Sequence, residues 1–266
     1  MKPRRVALAS LSAAMDGSFI AIADMSAAME AAGATDQYRL IGGVAVMLHV
    51  QRLGLDLPLR ATVDADFGVP PAILRDPKLT SEIEALGYFK RGGNRWEKTL
   101  DERRVAAVDL LVPAYRSRAR DNVRIGDVVT TEVPGLAIAF LHPGVRLDIE
   151  LVISDGRALE AMVVLPDAVG MLALKARART VRNDDRDAED LWRCLEVAAA
   201  DGVTPKDFDA DASLQDLRKL LAAELGTEGR SLPALTRGLR GEAAARRRTR
   251  VRALLNEIVG ETGRRA

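Results

Sequence analysis

A change of character at Pro166 constrains this chain more than any other feature. Upstream, strand-like and helix-like runs alternate; downstream, every long apolar run has helical spacing. Strands are predicted at "YRLIGG" (38–43), "ATVDADFGV" (61–69), "RRVAAVDLLVP" (103–113), "LAIAFL" (136–141), "VRLDIELVI" (145–153) and "ALEAMVVLP" (158–166). The stretch "GYFKRGGNRWEKTL" (87–100) reads as a hairpin turning at Gly92–Gly93. Helices over 16–33, 44–54 and 79–88 interleave with these strands, the last stopped by Gly87. Beyond Pro166, Asp167 is placed to cap a helix over 168–179, and Asp184 or Asp185 one over 186–200 that Gly202 ends. Two more helices are expected over 214–225 and 242–260. The pattern predicts an α+β chain: a mixed sheet with flanking helices in a domain over 1–165, then an all-α region over 166–266.

Composition excludes several classes of function. The 266 residues carry a net charge of only +1, so a polyanion would have to be held by a local patch. One cysteine, Cys194, and two histidines, His49 and His142, leave no disulfide and no cysteine- or histidine-built metal site. Any metal would therefore be held by carboxylates, whose hard oxygens suit Mg²⁺ or Mn²⁺. No run is long and apolar enough for a membrane span. The basic and then apolar start "MKPRRVALASLSAAM" is closed by Asp16 and makes a poor export signal, so no membrane partner and a cytoplasmic location are expected.

Chemistry is concentrated between Leu40 and Asp109. Asp64 and Asp66 stand two apart in a predicted strand, so both carboxylates project from one face. Two adjacent carboxylates repel unless a cation lies between them or one keeps a proton; alone, the pair reads as a solvated strand end. Gly42 and Gly43 precede a helix, an arrangement that offers bare amides to a phosphate and also serves plain close packing. Asp109 is set among valine and leucine in "VAAVDLLVP", where burial without a partner is unfavourable. Asp148 and Glu150 in "VRLDIELVI" are an alternative acid pair. Lys175 and Arg179 lie one helical turn apart, followed by "RNDDRDAEDL", in which Asp187, Asp190 and Leu191 share a helix face. Three carboxylates, an amide-rich elbow and a cation suit phosphoryl-type chemistry on a nucleoside triphosphate.

The glycine pair, "RATVDAD", the aspartate of "VDLL" and "LALKARARTVRNDDRDAEDL" together resemble the AbiEii/AbiGii-type, MenT-like toxins of the DNA polymerase β-like nucleotidyltransferase superfamily. The similarity covers roughly residues 38 to 195, most specifically Arg60, Thr62, Asp64 and Asp66, then Lys175, Arg186, Asp187, Asp190 and Leu191. The resemblance implies a nucleotidyltransferase-type sheet and a metal held by Asp64, Asp66 and Asp109. It implies nucleotide contacts from Gly42, Gly43, Thr62, Lys175, Arg179, Asp187 and Asp190. It further implies NTP as substrate, an RNA acceptor (a tRNA 3′ end) and a cognate antitoxin. A small molecule or protein acceptor, or a silent nucleotide- or RNA-binding module, would use the same residues. One departure is a long connection, "QRLGLDLPL", between the glycines and the carboxylates.

Three other features are weighed beside the site. Thr62 reads as an ordinary strand residue or, with its hydroxyl toward the carboxylates, as a site where the resemblance implies antitoxin-dependent phosphorylation, which would disfavour triphosphate binding. Arg246, Arg247, Arg248, Arg250 and Arg252 form either a solvated helix face or the missing polyanion patch. Trp192 and Cys194 read as helical core.

Overall fold

The computed structural model describes residues 5–58, 62, 64–102, 104–116, 119–182 and 184–260. The chain divides into two compact units, Met1–Asp167 and Ala168–Ala266. No helix among the described residues is long and apolar enough to cross a membrane.

The first unit runs β1 (Val6–Ala9), α1 (Ala13–Ala31), β2 (Arg39–Ile41), α2 (Gly42–Arg52), β3 (Ala65–Gly68), α3 (Pro71–Arg75) and α4 (Pro77–Ala85). It continues through β4 (Phe89–Gly92), β5 (Arg95–Thr99), β6 (Val105–Pro113), β7 (Val123–Ile125) and β8 (Val128–Val133). It closes with α5 (Leu136–Ala139), β9 (Val145–Val152) and β10 (Ala158–Leu165). The larger sheet has the order β2-β3-β6-β5-β4, with β8 also paired to β6 and β7 to β8. The β3–β6 and β6–β8 pairings are parallel and the β2–β3, β5–β6 and β4–β5 pairings antiparallel, so the sheet is mixed. The smaller sheet has the order β1-β9-β10, with β1 parallel to β9. Helix α1 packs against both β6 and β10 and joins the two sheets into one core. Its Phe19, Ile22, Met25 and Met29 are wholly buried, and Ser12 caps its N-terminus by accepting from the Met15 amide at 3.2 Å.

The second unit is helical: α6 (Ala168–Arg182), α7 (Asp185–Ala200), a 3₁₀ turn (Pro205–Phe208), α8 (Ala212–Leu225), α9 (Leu232–Leu235) and α10 (Gly241–Val259). Helix α7 packs against α6, α9 and α10, burying Leu191, Trp192, Cys194 and Leu195. Asp184 caps α7 through the Arg186 amide, and the Asp167 carboxylate, just ahead of α6, bonds His142 Nδ1 at 2.6 Å.

Four sequence expectations are corrected. The run 136–141 is a helical turn, because Gly135 enters it in the left-handed region at φ 87° and four apolar residues do not distinguish the two periods. The strand expected over 61–69 is confined to Ala65–Gly68, so Asp64 sits just ahead of it and Thr62 lies outside it; Arg60 is outside the described residues. The helix expected from Val44 begins at Gly42, and it ends at Arg52, with "LGLDLP" following as irregular chain. Strands β1, β7 and β8 were not expected. The last two form a hairpin around Gly126-Asp127, with Ile125 paired to Val128.

Candidate active site

The site is assembled by strand register. Asp66 on β3 lies opposite Asp109 on β6, and Asp109 lies opposite Arg95 on β5. In-register neighbours project to the same face, so Asp66, Asp109 and Arg95 form one row across three adjacent strands. Alternation sends the intervening side chains to the other face. Ala65 and Phe67 flank Asp66, Val108 and Leu110 flank Asp109, and Trp96 follows Arg95; all five are buried. Each strand thus anchors its charged residue through apolar neighbours.

Asp64 joins the row from the chain entering β3. Its Oδ1 accepts from Arg95 Nη1 at 2.9 Å, and its carbonyl accepts from Ser18 Oγ of α1 at 3.3 Å. Arg95 Nη1 is also 3.7 Å from Asp109 Oδ2, while its Nε donates to Glu97 Oε1 at 2.8 Å. Asn94 Nδ2 donates to Asp109 Oδ1 at 2.8 Å, and Asn94 is itself fixed by Thr131 Oγ1 at 3.2 Å and by the Leu110 amide at 3.0 Å.

The glycine elbow abuts this row. Ile41, the residue before α2, pairs with Asp66 across β2 and β3, so α2 starts beside the Asp66 carboxylate. Gly42 has φ +78°, and a Cβ there would lie 2.3 Å from Asp66 Oδ2. Backbone conformation and the neighbouring carboxylate both demand glycine at this position. Gly43 is buried in the first turn of α2.

Electrostatically the row is unbalanced. Arg95 bridges Asp64 and Asp109 and bonds Glu97, Asp66 stands opposite Asp109, and Arg91 reaches Glu97 Oε2 at 3.8 Å, so among these described side chains carboxylates outnumber guanidinium groups. Burial first, then the Asp66 carboxylate, pushes Asp109 up to about 6, against the pull of Arg95. Burial opposes the Arg95 charge, but bonds to Glu97 and Asp64 overcome it and hold the guanidinium above its usual value. Side-chain exposures of 40% for Asp64 and 38% for Arg95 leave the row open to solvent.

The donor set fits a hard divalent cation: Asp66 and Asp109 on adjoining strands with Asp64 on the chain entering β3, and a raised Asp109 that added positive charge would bring down. Among the described residues no three such side chains form a ready-made metal cage. Arg95 occupies the place between Asp64 and Asp109 instead, so a metal held by these residues requires that guanidinium to move. Asp148 and Glu150, the alternative pair, belong to the smaller sheet, and Glu150 pairs with Arg5 at 3.4 Å.

Lys175, Arg179, Asp187 and Asp190 lie in the helical unit, each with a polar partner there. Lys175 Nζ bonds Asp190 Oδ2 at 2.9 Å, and Arg193 Nη1 bonds Asp190 Oδ1 at 3.2 Å. Arg182 holds Asp187 at 3.0 Å. Arg179 Nε donates to Ser231 Oγ at 3.2 Å, and Ser231 donates to Glu224 at 2.8 Å. Burial pushes the Cys194 thiol up to about 12, removing it as a nucleophile. The Arg247 guanidinium lies 3.7 Å over the Trp192 ring, which keeps Trp192 in the core. Thr62 is half-buried.

Sequence reasoning missed Asn94, Arg95 and Glu97. The available signal was "NRWEKT", a polar–apolar alternation around Trp96 that marks a strand with one charged face. No protein-family model matches the chain, and no curated protein matches it significantly.

Proposed function

We propose that this chain is a divalent-metal-dependent nucleotidyltransferase of the AbiEii/AbiGii type, acting as the toxin of a toxin–antitoxin pair. It would transfer a nucleoside monophosphate from an NTP to an RNA hydroxyl, with a tRNA 3′ end as the expected acceptor. The observation that carries this reading is the row Asp66–Asp109–Arg95, with Asp64 at its edge and the α2 elbow against Asp66. Carboxylate excess beside a helix N-terminus suits a cation and a phosphate held side by side.

Asp64, Asp66 and Asp109 would hold Mg²⁺ or Mn²⁺, which when bound acidifies a hydroxyl and neutralises triphosphate charge. The Gly42–Gly43 end of α2 would bind phosphate through its amides. The acceptor oxygen forms a bond to the α-phosphorus as the bond to the β-phosphate oxygen breaks, and pyrophosphate leaves. Asp109, buried and crowded by Asp66, is the carboxylate best suited to receive the hydroxyl proton. Asn94 would hold Asp109 Oδ1 in place during that transfer. Lys175, paired with Asp190, is the cation that the resemblance assigns to the triphosphate, and the arginines of α10 would meet acceptor phosphates. Antitoxin control through Thr62 phosphorylation belongs to the same reading.

Incubation of the protein with Mg²⁺, total RNA and each of the four α-labelled NTPs in turn, followed by sizing of labelled products, tests this. One NTP is expected to label a discrete RNA species with pyrophosphate release. Asp64→Ala is expected to reduce transfer on the order of 10³-fold while retaining the fold. Undiminished transfer by that variant defeats the mechanism, and label entering only protein or small molecules moves the acceptor class.

A further inference from the structure

We propose that Arg95 is a built-in counter-cation of the carboxylate row, holding Asp64 and Asp109 together in the metal-free protein and competing with a divalent metal for them. The inference rests on the nucleotidyltransferase reading and adds a regulatory residue that the sequence motifs do not contain.

The geometry is specific. One nitrogen, Nη1, reaches Asp64 Oδ1 at 2.9 Å and Asp109 Oδ2 at 3.7 Å, so the guanidinium bridges two of the three carboxylates assigned to the metal. Without a positive charge there, the repulsion between Asp64, Asp66 and Asp109 would push the row apart or force protons onto it. A dication contacting the same oxygens excludes a guanidinium by space and by like charge. Arg95 is nevertheless tethered: it pairs with Asp109 in register, and its Nε is anchored to Glu97 Oε1 at 2.8 Å. Rotation about that anchor frees Nη1 without unfolding the strand, because Trp96, on the opposite face, holds β5 in the core with 3% exposure. The released end stays within one side-chain length of the metal and meets the negative charge of a bound triphosphate. Arg95 thereby raises the metal concentration needed to open the site and returns its charge to the nucleotide once opened.

The 266-residue chain, treated with chelator, is titrated with Mn²⁺ alone and bound metal is read by electron paramagnetic resonance, independently of turnover. Arg95→Gln is expected to bind Mn²⁺ about tenfold more tightly than wild type, a half-exposed charge at this range being well screened. Arg95→Lys, which keeps the competing charge, should stay close to the wild-type affinity. In transfer assays, Arg95→Gln should raise the KM for NTP. Equal or weaker Mn²⁺ binding by Arg95→Gln overturns the inference, as does an Arg95→Lys variant that binds as tightly as Arg95→Gln. Asp64→Asn separates the two levels. Mn²⁺ binding lost in Asp64→Asn but unchanged in Arg95→Gln overturns only the role of Arg95, while binding that Asp64→Asn leaves intact overturns the metal site itself and the inference with it.

Discussion

Two clusters of charge in this protein have similar composition and opposite character. In the α+β unit, the carboxylates Asp64, Asp66, Asp109 and Glu97 outnumber the guanidinium groups of Arg95 and Arg91 beside them, and Asp64 and Arg95 are 40% and 38% exposed. In the helical unit, Lys175 and Arg193 flank Asp190 with side-chain exposures of 7%, 6% and 1%, and Arg193 also reaches the exposed Glu189 at 3.4 Å. Charges paired and buried in this way tie α6 to α7, and a ligand engages Lys175 only by breaking its bond to Asp190. An open cluster in which carboxylates outnumber their cations gains from a further cation that enters. Imbalance together with access separates a site from a scaffold more sharply than the number of charged residues does.

The largest expected effect tests the scaffold side. Asp190→Ala would leave Lys175 and Arg193 buried without their shared carboxylate, and breaking such a pair costs about 3 to 5 kcal/mol. Urea denaturation should therefore show a much lower midpoint for Asp190→Ala. The double variant Lys175→Met/Asp190→Leu, which removes both charges of the pair, should recover part of the loss. A variant that keeps wild-type stability and loses only NTP affinity would place Lys175 and Asp190 in the nucleotide site, as the family resemblance implies, and would erase the contrast.

Legibility in the sequence follows the same division. Asp66 was visible as an acid in a strand pattern and Asp109 as an acid between apolar neighbours, but strand period misplaced Asp64, which lies ahead of β3 and meets the row through Arg95. Gly42 was visible as a glycine, but not its reason, because the contact with Asp66 Oδ2 depends on the β2–β3 pairing. Arg95 and Asn94 were hidden for the same cause: cross-strand register brings Arg95 opposite Asp109 from fourteen positions away, and no local pattern encodes register. The short run at Leu136–Ala139 was misread because length, which separates strand from helix in an apolar segment, fails at four residues. Strand β1 was overlooked because its alternation lies within a basic, apolar start that imitates a leader. The partners of Lys175 could have been anticipated, since Asp190 and Arg193 are three apart on one helix.

A second measurement sharpens the site side through pH. Asp109 ionises near 4 in the unfolded chain and at about 6 in the folded one. Between these values the folded state binds more protons than the unfolded state, so stability falls as pH rises through the window and stays lower above it. Asp109→Asn removes the titrating group while Asn94 can still donate to the side-chain oxygen. In metal-free buffer the variant should match wild type below about pH 4 and exceed it by about 2 kcal/mol above pH 7. Adding Mn²⁺ should narrow the difference, since only the wild-type carboxylate gains from the cation. Parallel stability profiles for the two proteins would show that the row is not charge-strained and would weaken the contrast with the helical unit.

The smallest expected effect concerns α10, where balanced and unbalanced charge occur on one helix. Arg246 is paired with Glu242, and Arg250 with Glu196, so each already answers a carboxylate. Arg248 and Arg252 are exposed and one turn apart, which places two cations in line on the same side. If surplus charge with access marks function here as in the sheet, these two carry the phosphate contacts and the paired two do not. Arg248→Gln/Arg252→Gln should weaken single-stranded RNA binding by roughly three- to tenfold and lower the salt dependence by about 1 to 1.5 in log–log slope, as expected for two lost phosphate contacts. Arg246→Gln/Arg250→Gln should change both quantities less, because each substitution also releases a carboxylate that was already compensated. Fluorescence anisotropy over a range of KCl concentrations reads both effects. Equal losses from the two pairs would mean that net charge alone governs RNA contact, and that the distinction between answered and unanswered cations does not extend from the carboxylate row to this surface.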